Sequence, residues 1–280
     1  MKITRMAGLK KSLLSMMLGL GVALLATQAQ AQAYPNKPIK AIVPFAAGSA
    51  TDQIGRAFAQ KMSEVLGQPI VVENRAGVNG MLGADAVAKS APDGYTILIG
   101  TNSTNAALKS LMKKLPYDQD TAFAPIGYMG SVPLIVGVNN DVPAKTLKEF
   151  VDMAKAKPTT VTFASASTSQ LVSSEMLASM AGIQMTHVPY KSGPAAMTDL
   201  IGGQVNMFTA DFAVMLPQVK GGKIRGLAVT STQRSKAILE RFSALGFETA
   251  PGSPEALAQR SRTETAKWAK AIREAKIEPQ

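Results

Sequence analysis

Short apolar runs alternate along the chain with segments of helical periodicity, and this alternation restricts the possible fold more than any other feature. In the first unit, the apolar run at 39–43 leads through small residues into a helical pattern that ends at Gly67. Thr51 or Asp52 is predicted to cap that helix, because both side chains carry oxygen acceptors. Strand, turn and helix in this order predict an α/β fold with parallel sheets.

The alternation continues through both halves of the chain. It predicts further strands at 70–72, 96–99, 134–138, 161–163 and 184–188, and within 202–212 and 222–231. Thr146 and Glu149 form a capping box at the start of a helix in the second half. The last helix is predicted to begin at Ser253, but Ser261 and Thr265 interrupt its apolar stripe, so weak packing is expected.

The first 33 residues have the three parts of a secretory signal peptide. Basic residues precede an apolar run at 13–26, and small residues around Ala31 and Ala33 offer cleavage sites. The run is short for a membrane span, which needs about 20 residues. We therefore expect residues 1–33 to be a cleaved signal peptide and the mature protein to be exported. An uncleaved membrane anchor is the alternative.

The composition excludes several classes of function. The chain is basic, with a formal net charge of +11, but its lysines are scattered and aromatic residues make up only 5%. A nucleic-acid groove with stacking platforms is therefore not supported. The absence of cysteine excludes disulfides and thiolate chemistry, and the single histidine, His187, leaves little for a metal site. Because its neighbours are predicted to form a strand, His187 is expected to have a structural role.

The motifs of common enzyme classes do not occur in the sequence either. Gly77, Gly80 and Gly83 follow a predicted strand, but their GxxGxxG spacing differs from the GxGxxG of dinucleotide-binding proteins. There is no Walker-type motif and no serine in a GxSxG frame. We predict a protein that is not an enzyme and that uses no cofactor or metal ion.

Four polar turns of small residues follow predicted strands and are the best candidates for a binding site. They are VPFAAGSATD (43–52), GTNST (100–104), ASASTS (164–169) and PYKSGPA (189–195). In parallel α/β sheets, ligands bind beyond the carboxyl ends of the strands, where helix N-termini present N–H groups. The recurrence predicts a cleft between two lobes that binds a small anion. Asp52 either caps its helix or accepts a hydrogen bond from the ammonium group of an amino-acid ligand.

Several long motifs, in order along the chain, resemble a known family. They include YPNKPIKAIVPFAAGSATD, LGQPIVVENRAGVNGMLGADAVAKSAPDGYTILIGT, HVPYKSGPAAMTDLIGGQVNMF and GGKIRGLAVTS, which are similar to Bug-type solute-binding proteins of tripartite tricarboxylate transporters. The resemblance implies a two-lobed type II periplasmic-binding-protein fold that closes on a small carboxylate. It also implies that the mature protein is periplasmic and that a membrane permease is its partner. We expect lobe 1 over 34–138, lobe 2 over 139–225 and a return to lobe 1 over 226–280.

The predicted ligand-binding residues come from the four turns and from the end of the strand within 202–212. They are Phe45, Gly48, Ser49, Ala50, Thr51, Asp52, Thr101, Ser165, Ser167, Ser169, Tyr190, Lys191 and Asp211. The resemblance implies that backbone N–H groups bind most of the ligand. Recognition of this kind does not distinguish di- or tricarboxylates from aromatic acids or acidic amino acids.

The chain also departs from the family pattern. Ser49 and Ala50 stand where the family usually has glycine, as does Ser192, and Asn206 replaces the usual aspartate. After about Glu240, the chain lacks a strand and a long helix that the family has. A defunct or repurposed relative is therefore the alternative function, and a secreted hydrolase is a more distant one. We expect a monomer, with dimerisation through an unpaired sheet edge as the alternative.

Overall fold

The computed structural model describes residues 34–230 and 248–279 of the chain. The predicted signal peptide at 1–33 and the predicted deletion after about Glu240 lie outside these residues. The elements given below belong to the unit formed by residues 37–280. Among the described helices, none combines the length and the apolar character needed to cross a lipid bilayer.

The first sheet has three parallel strands, with β1 (Ile39–Val43) between β2 (Ile70–Asn74) and β3 (Thr96–Leu98). The helices that follow these strands are α1 (Ala50–Leu66), α2 (Met81–Ala88) and α3 (Leu108–Leu111), the last preceded by a π-helical turn at Ser103–Ala107. Because the strands are parallel, the turns that follow them lie at one edge of the sheet. The candidate turns 43–52 and 100–104 are therefore at the same edge.

The second sheet has five strands of mixed direction. After β4 (Tyr128–Ser131), which lies outside it, the chain forms β5 (Leu134–Asn139), β6 (Thr162–Ser165), β7 (Thr186–Pro189), β8 (Met207–Asp211) and β9 (Ile224–Val229). The order across the sheet is β7-β6-β8-β5-β9. Strands β6, β7 and β8 are parallel, whereas β5 is antiparallel to both of its neighbours. The expectation of purely parallel sheets is therefore wrong for the second sheet.

Helices cover the second sheet and connect its strands. They are α4 (Leu147–Ala156), α5 (Thr168–Ala181), α6 (Gly193–Ile201) and α7 (Phe212–Lys220). The predicted capping box of α4 is confirmed, since the Thr146 hydroxyl accepts from the Glu149 N–H at 3.2 Å. Helices α5, α6 and α7 directly follow the parallel strands β6, β7 and β8, so their N-termini lie at one edge of the sheet.

The last described segment returns to β4. Strand β10 (Glu248–Gly252) pairs antiparallel with β4, and α8 (Pro254–Glu274) follows it. Every predicted strand overlaps an observed one, but β4, β10, α3 and α7 were not predicted. Strand β4 is short and contains Gly130 at a φ of 158°, and α7 contains Pro217, so neither has the pattern of its element.

The cap of α1 differs from the predicted one. Ser49, with φ −66° and ψ 160°, is the N-cap, and its hydroxyl accepts from the Asp52 N–H at 3.2 Å. The predicted caps, Thr51 and Asp52, lie inside the first turn of the helix. The predicted end at Gly67 is confirmed, because Gly67 has the left-handed conformation typical of a helix C-terminus.

The GxxGxxG glycines allow α2 to pack against the turn after β1. A Cβ atom on Gly83 would lie 2.8 Å from the Cα of Pro44 and 2.9 Å from the carbonyl oxygen of Arg75. A Cβ on Gly80 would lie 2.9 Å from the methyl group of Thr104, and Gly80 has a φ of +92°. Close backbone packing thus accounts for this glycine spacing.

Helix α8 is held by polar as well as apolar contacts. The Ser261 hydroxyl donates to the carbonyl of Asn105, in the π-helical turn, at 2.9 Å. Ile272 is only 2% exposed and packs with Ala107, Leu111 and Val172. The expectation that Ser261 would weaken docking is therefore wrong, because its hydroxyl binds a carbonyl of the surface on which the helix packs.

We predict that Ile272→Ala lowers the free energy of unfolding by about 2–4 kcal/mol, because it leaves a cavity between α8, the π-helical turn and α5. Urea unfolding of the purified protein measures the change. Lys270→Ala is the matched control on the same helix, since its side chain is 72% exposed. Equal effects of the two substitutions would show that α8 is not packed as described.

Candidate functional site

The turn between β1 and α1 is held in shape by the carboxylate of Asp52. Its Oδ2 accepts from the backbone N–H of Gly48 at 2.9 Å, and Gly48 has a φ of +79° that favours glycine. Its Oδ1 accepts from Nε of Arg56 at 2.9 Å and from Nδ2 of Asn74 at 2.8 Å. Asn74 also donates to the carbonyl of Phe45 at 3.0 Å, so both ends of the turn are fixed.

These contacts determine the ionisation of Asp52. Burial by itself would raise its pKa, but the hydrogen bonds from Arg56, Gly48 and Asn74 and the charge of Arg56 together lower the pKa below its usual value. Three donors already occupy the carboxylate, so the geometry favours a structural role for Asp52 over acceptance from a ligand ammonium group. The Gly48 N–H is likewise used within the turn.

The donors left for a ligand at this turn are at the start of α1. The Asp52 N–H is bound by Ser49, and the N–H of Gln53 bonds to the Ser49 carbonyl at 3.0 Å. The N–H groups of Ala50 and Thr51 precede these two and have no acceptor inside the helix. They point out of a positive helix end, where an anion is stabilised.

At the second sheet, the start of α5 also has N–H groups without an acceptor inside the helix. Ser167 is its N-cap but makes no side-chain capping bond, and Gln170 Oε1 accepts from the Ala166 N–H at 2.8 Å. Ser169 lies in the first turn and is half-buried. Thr168 is 0% exposed, and its hydroxyl oxygen has no hydrogen-bond partner in the structure. An unpaired buried hydroxyl costs about 1–3 kcal/mol, so a group that binds it would offset that cost.

The turn after β7 is anchored to the turn after β6. The Tyr190 N–H donates to the Ser165 carbonyl at 2.7 Å, and the Tyr190 hydroxyl donates to Asp199 at 2.7 Å. Burial and the bond to Asp199 raise the pKa of Tyr190 to about 12. Its hydroxyl is therefore engaged within the protein. Lys191 is exposed, and Ser192 caps α6 by accepting from the Ala195 N–H at 3.3 Å.

Asp211 ends β8 and is the N-cap of α7, without a side-chain capping bond. Burial raises its pKa, although a bond from Gln170, whose Nε2 lies 3.5 Å from Oδ2, acts in the opposite direction. Gln170 thus connects the turn after β6 to the end of β8.

The edges of the two sheets at which these turns lie approach each other at Gly48. A Cβ atom placed on Gly48 would lie 3.8 Å from Cγ of Pro194, in the first turn of α6. Helix α5 also packs against the π-helical turn, which starts two residues after Thr101. The hydroxyl of Thr101 is buried without a hydrogen-bond partner, as is that of Thr168. The structure thus brings turn 43–52 to turn 189–195, and places turn 100–104 beside the helix that follows turn 164–169.

Sequence reasoning missed several residues of this site. Arg56 and Asn74 hold Asp52, Gln170 links two turns, Thr168 carries an unpaired hydroxyl and Pro194 faces Gly48. Only Thr168 and Pro194 lie inside the four candidate turns, so only these two could have been found from the sequence pattern. The other three act through side chains that reach across the fold.

Two cavities of the described residues lie away from these turns. One, of about 330 Å³, is at the opposite edge of the second sheet, and Asn139, Asp141, Lys157 and Asn206 are among its lining residues. The other, of about 520 Å³, lies at the end of α8, beside Ser110, Arg273 and Lys276. Neither is lined by a predicted ligand-binding residue. In the part of the chain that the structure describes, no group of three acidic or histidine side chains could hold a metal ion.

We predict that Asp52→Asn lowers the free energy of unfolding by about 1–3 kcal/mol at pH 7, because an amide presents a donor to groups that donate to the carboxylate. Since the pKa of Asp52 is lowered in the folded state, its contribution is complete above its unfolded pKa of about 3.8 and is lost as pH falls through the folded value. Urea unfolding between pH 7 and pH 2.5 measures both effects.

The matched control is Asp152→Asn, on the surface of α4, where the side chain is 56% exposed and pairs with Lys148. Exposed pairs of this kind contribute little, so we expect a change within about 0.5 kcal/mol. If Asp52→Asn were as mild as this control, Asp52 would not hold the turn.

Comparison with known proteins relates this architecture to characterised ones. The sequence profile described as "Tripartite tricarboxylate transporter family receptor" (TctC) matches residues 54–249. A UPF0065 protein of Pseudomonas sp. (strain P51) is 31% identical over 315 residues, which cover 92% of this chain and 93% of that protein. Because 315 exceeds the 280 residues of this chain, the alignment includes residues of the relative that have no counterpart here.

Two further matches, one in sequence and one in structure, cover most of the chain. Protein BugT of Bordetella pertussis is 37% identical over 214 residues, which cover 75% of this chain and 66% of BugT. Among solved structures, a protein of R. palustris with adipate has a TM-score of 0.83 and 26% identity, and the match covers 88% of this chain and 100% of that one. The structural match thus covers most of this chain and the whole of the related one.

Proposed function

The chain belongs to the receptors of the tripartite tricarboxylate transporter family, and from this premise we propose that it binds a small dicarboxylate between its two strand edges and presents it to a membrane permease. The expected family and the two-lobed α/β fold are confirmed by the profile match and by the related structure. Members of the family are periplasmic receptors rather than enzymes, so the prediction that the chain is not an enzyme is also confirmed.

The close approach of Pro194 to Gly48 is the observation that supports the proposal most directly. It brings the start of α1 next to the start of α6, although these helices follow strands of different sheets. Helix N-termini stabilise negative charge, typically by about 0.3–1 kcal/mol each and by more where water is excluded. A carboxylate at this meeting point contacts both sheets, which favours the closed arrangement over an open one.

The ligand class follows from the donors at these edges. They are neutral groups, namely backbone N–H groups at the starts of α1 and α5 and the unpaired hydroxyls of Thr101 and Thr168. Neutral donors bind a carboxylate without neutralising its charge, as expected of a site that must also release its ligand. The related R. palustris protein, solved with adipate, supports a dicarboxylate of that size as the first compound to test.

We expect adipate to raise the melting temperature of the purified protein by roughly 5–10 °C at a concentration of about 100 times Kd, because it binds only the native state. The measurement is thermal unfolding with adipate, succinate, glutamate and an aromatic acid. Adipamide is the control, since it has the same length without the charges. A cooperative transition that no acid shifts would contradict the proposal and favour the defunct relative.

A pair of substitutions at Thr168 tests the site itself. Thr168→Val removes the unpaired hydroxyl at nearly constant volume, so we expect the ligand-free protein to gain about 1 kcal/mol of stability and to bind adipate about tenfold more weakly. Thr168→Pro also removes the N–H, at a first helical position that tolerates proline after the extended Ser167. We expect it to bind more weakly than Thr168→Val.

Isothermal titration calorimetry measures these affinities, and urea unfolding measures the stabilities. Unchanged adipate affinity in both variants would remove the start of α5 from the site. A loss of stability in Thr168→Val would show that the hydroxyl has a partner within the protein.

A further inference from the structure

The single histidine of the chain lies against the candidate site. His187 is on β7, directly opposite Phe163 of β6, and its ring stacks on the Phe163 ring with centroids 5.0 Å apart and planes at 27°. Nε2 of His187 lies 2.7 Å from Oγ of Ser165, at the carboxyl end of β6. The stacking fixes the ring, so the imidazole is held in position to exchange a proton with this hydroxyl.

Ser165 is fixed in position, and only the direction of its hydroxyl proton can change. The residue is 6% exposed, and its carbonyl accepts from the Tyr190 N–H at 2.7 Å. It begins the turn that leads into α5, where Thr168 carries its unpaired hydroxyl. The direction of the Ser165 O–H bond therefore depends mainly on what His187 presents.

A hydroxyl has one proton to donate, and His187 determines where that proton goes. A neutral ring has two tautomers, and in the one whose Nε2 carries no proton, Nε2 accepts from Ser165, so that only lone pairs of Oγ remain for a ligand. The imidazolium ring always carries a proton on Nε2, so it donates to Oγ, and the hydroxyl proton is free for a ligand carboxylate. The first state repels a carboxylate at this position, and the second state binds it.

We propose that His187 is a positioning residue that sets the direction of the Ser165 hydroxyl, so that the turn at 165–169 binds a carboxylate more tightly when the imidazole ring is protonated to imidazolium. The inference rests on the proposed function, because it concerns the same ligand. It makes loading of the receptor dependent on the pH of its surroundings, with tighter binding in more acidic conditions.

The surroundings of the ring leave it free to titrate in this way. Burial lowers the pKa of His187 below its usual value of 6.5, and burial is the only cause of that shift. The adjoining elements carry the charged residues Lys157 after α4, Glu175 of α5, Lys191 after β7 and Asp199 of α6, and none of them contributes to the shift. The ring is therefore mostly neutral at pH 7, and a carboxylate that binds beside Ser165 would raise its pKa.

Calorimetry with adipate between pH 8 and pH 5.5 tests the pH dependence. We expect the Kd of the natural protein to fall about tenfold over this range, as one charge-assisted hydrogen bond is gained. His187→Phe keeps the stacking on Phe163 but has no nitrogen, and we expect its Kd to change less than about threefold. Protonation of adipate itself affects both proteins equally, so the ratio of the two profiles isolates His187.

Nuclear magnetic resonance gives a second and more direct readout. Because the sequence contains one histidine, a protein purified without a histidine tag shows a single set of imidazole signals. We expect their titration midpoint to rise when adipate is added, and to rise much less in Ser165→Ala. A purely structural role for His187 would leave the midpoint unchanged by adipate.

The outcomes separate the two proposals. Suppose that adipate raises the melting temperature, but that the Kd of the natural protein and of His187→Phe depends on pH in the same way and that adipate leaves the imidazole titration midpoint of the natural protein unchanged. The inference is then overturned, and the proposed function stands. If no acid shifts the melting temperature at any pH, the proposed function fails and the inference fails with it. Urea unfolding confirms that His187→Phe and Ser165→Ala are folded before either comparison is made.

Discussion

In the turn after β1, one carboxylate binds three donors that come from different parts of the fold. Asp52 accepts from Gly48 within the turn, from Arg56 one helical turn further on, and from Asn74 at the end of β2. Without it, the small residues between Pro44 and Ser49 would have no reason to adopt one conformation, since they carry few side-chain contacts of their own. The direction of the N–H groups at the start of α1 therefore depends on the hydrogen bonds of Asp52, which itself does not contact the proposed ligand.

The sequence was sufficient for the order of most strands and helices, and for the turns that lie at the two sheet edges, but not for β4, β10, α3 and α7. Apolar alternation and helix caps are local signals, so β1, α4 and the end of α1 at Gly67 could be predicted from neighbouring residues alone. The antiparallel direction of β5 could not, because its apolar run has the same pattern in either direction. Nor could the roles of Asn74 and Gln170, whose partners are distant in sequence.

The last helix shows why a polar residue on an apolar stripe is not always a defect. Ser261 is unfavourable only if the surface that it meets is apolar, and here it meets the carbonyl of Asn105 in a π-helical turn. A π-helical turn changes the spacing of backbone hydrogen bonds, and such turns often occur at functional sites. A π-helical turn is too short to produce a recognisable periodicity of apolar residues in the sequence. The partner of Ser261 could therefore be identified only from the structure.

Helix α8 contacts elements that belong to both sheets. Through Ile272 it packs on Ala107 and Leu111, which follow β3, and on Val172 of α5, which follows β6. A helix that packs on both sides of a cleft limits how far the two sides can separate, because wide separation must break one set of its packing contacts. Packing of this kind favours small sliding movements over wide hinge opening. The proposed ligand would then have to enter through the separation that the attachments of α8 to the two sides allow.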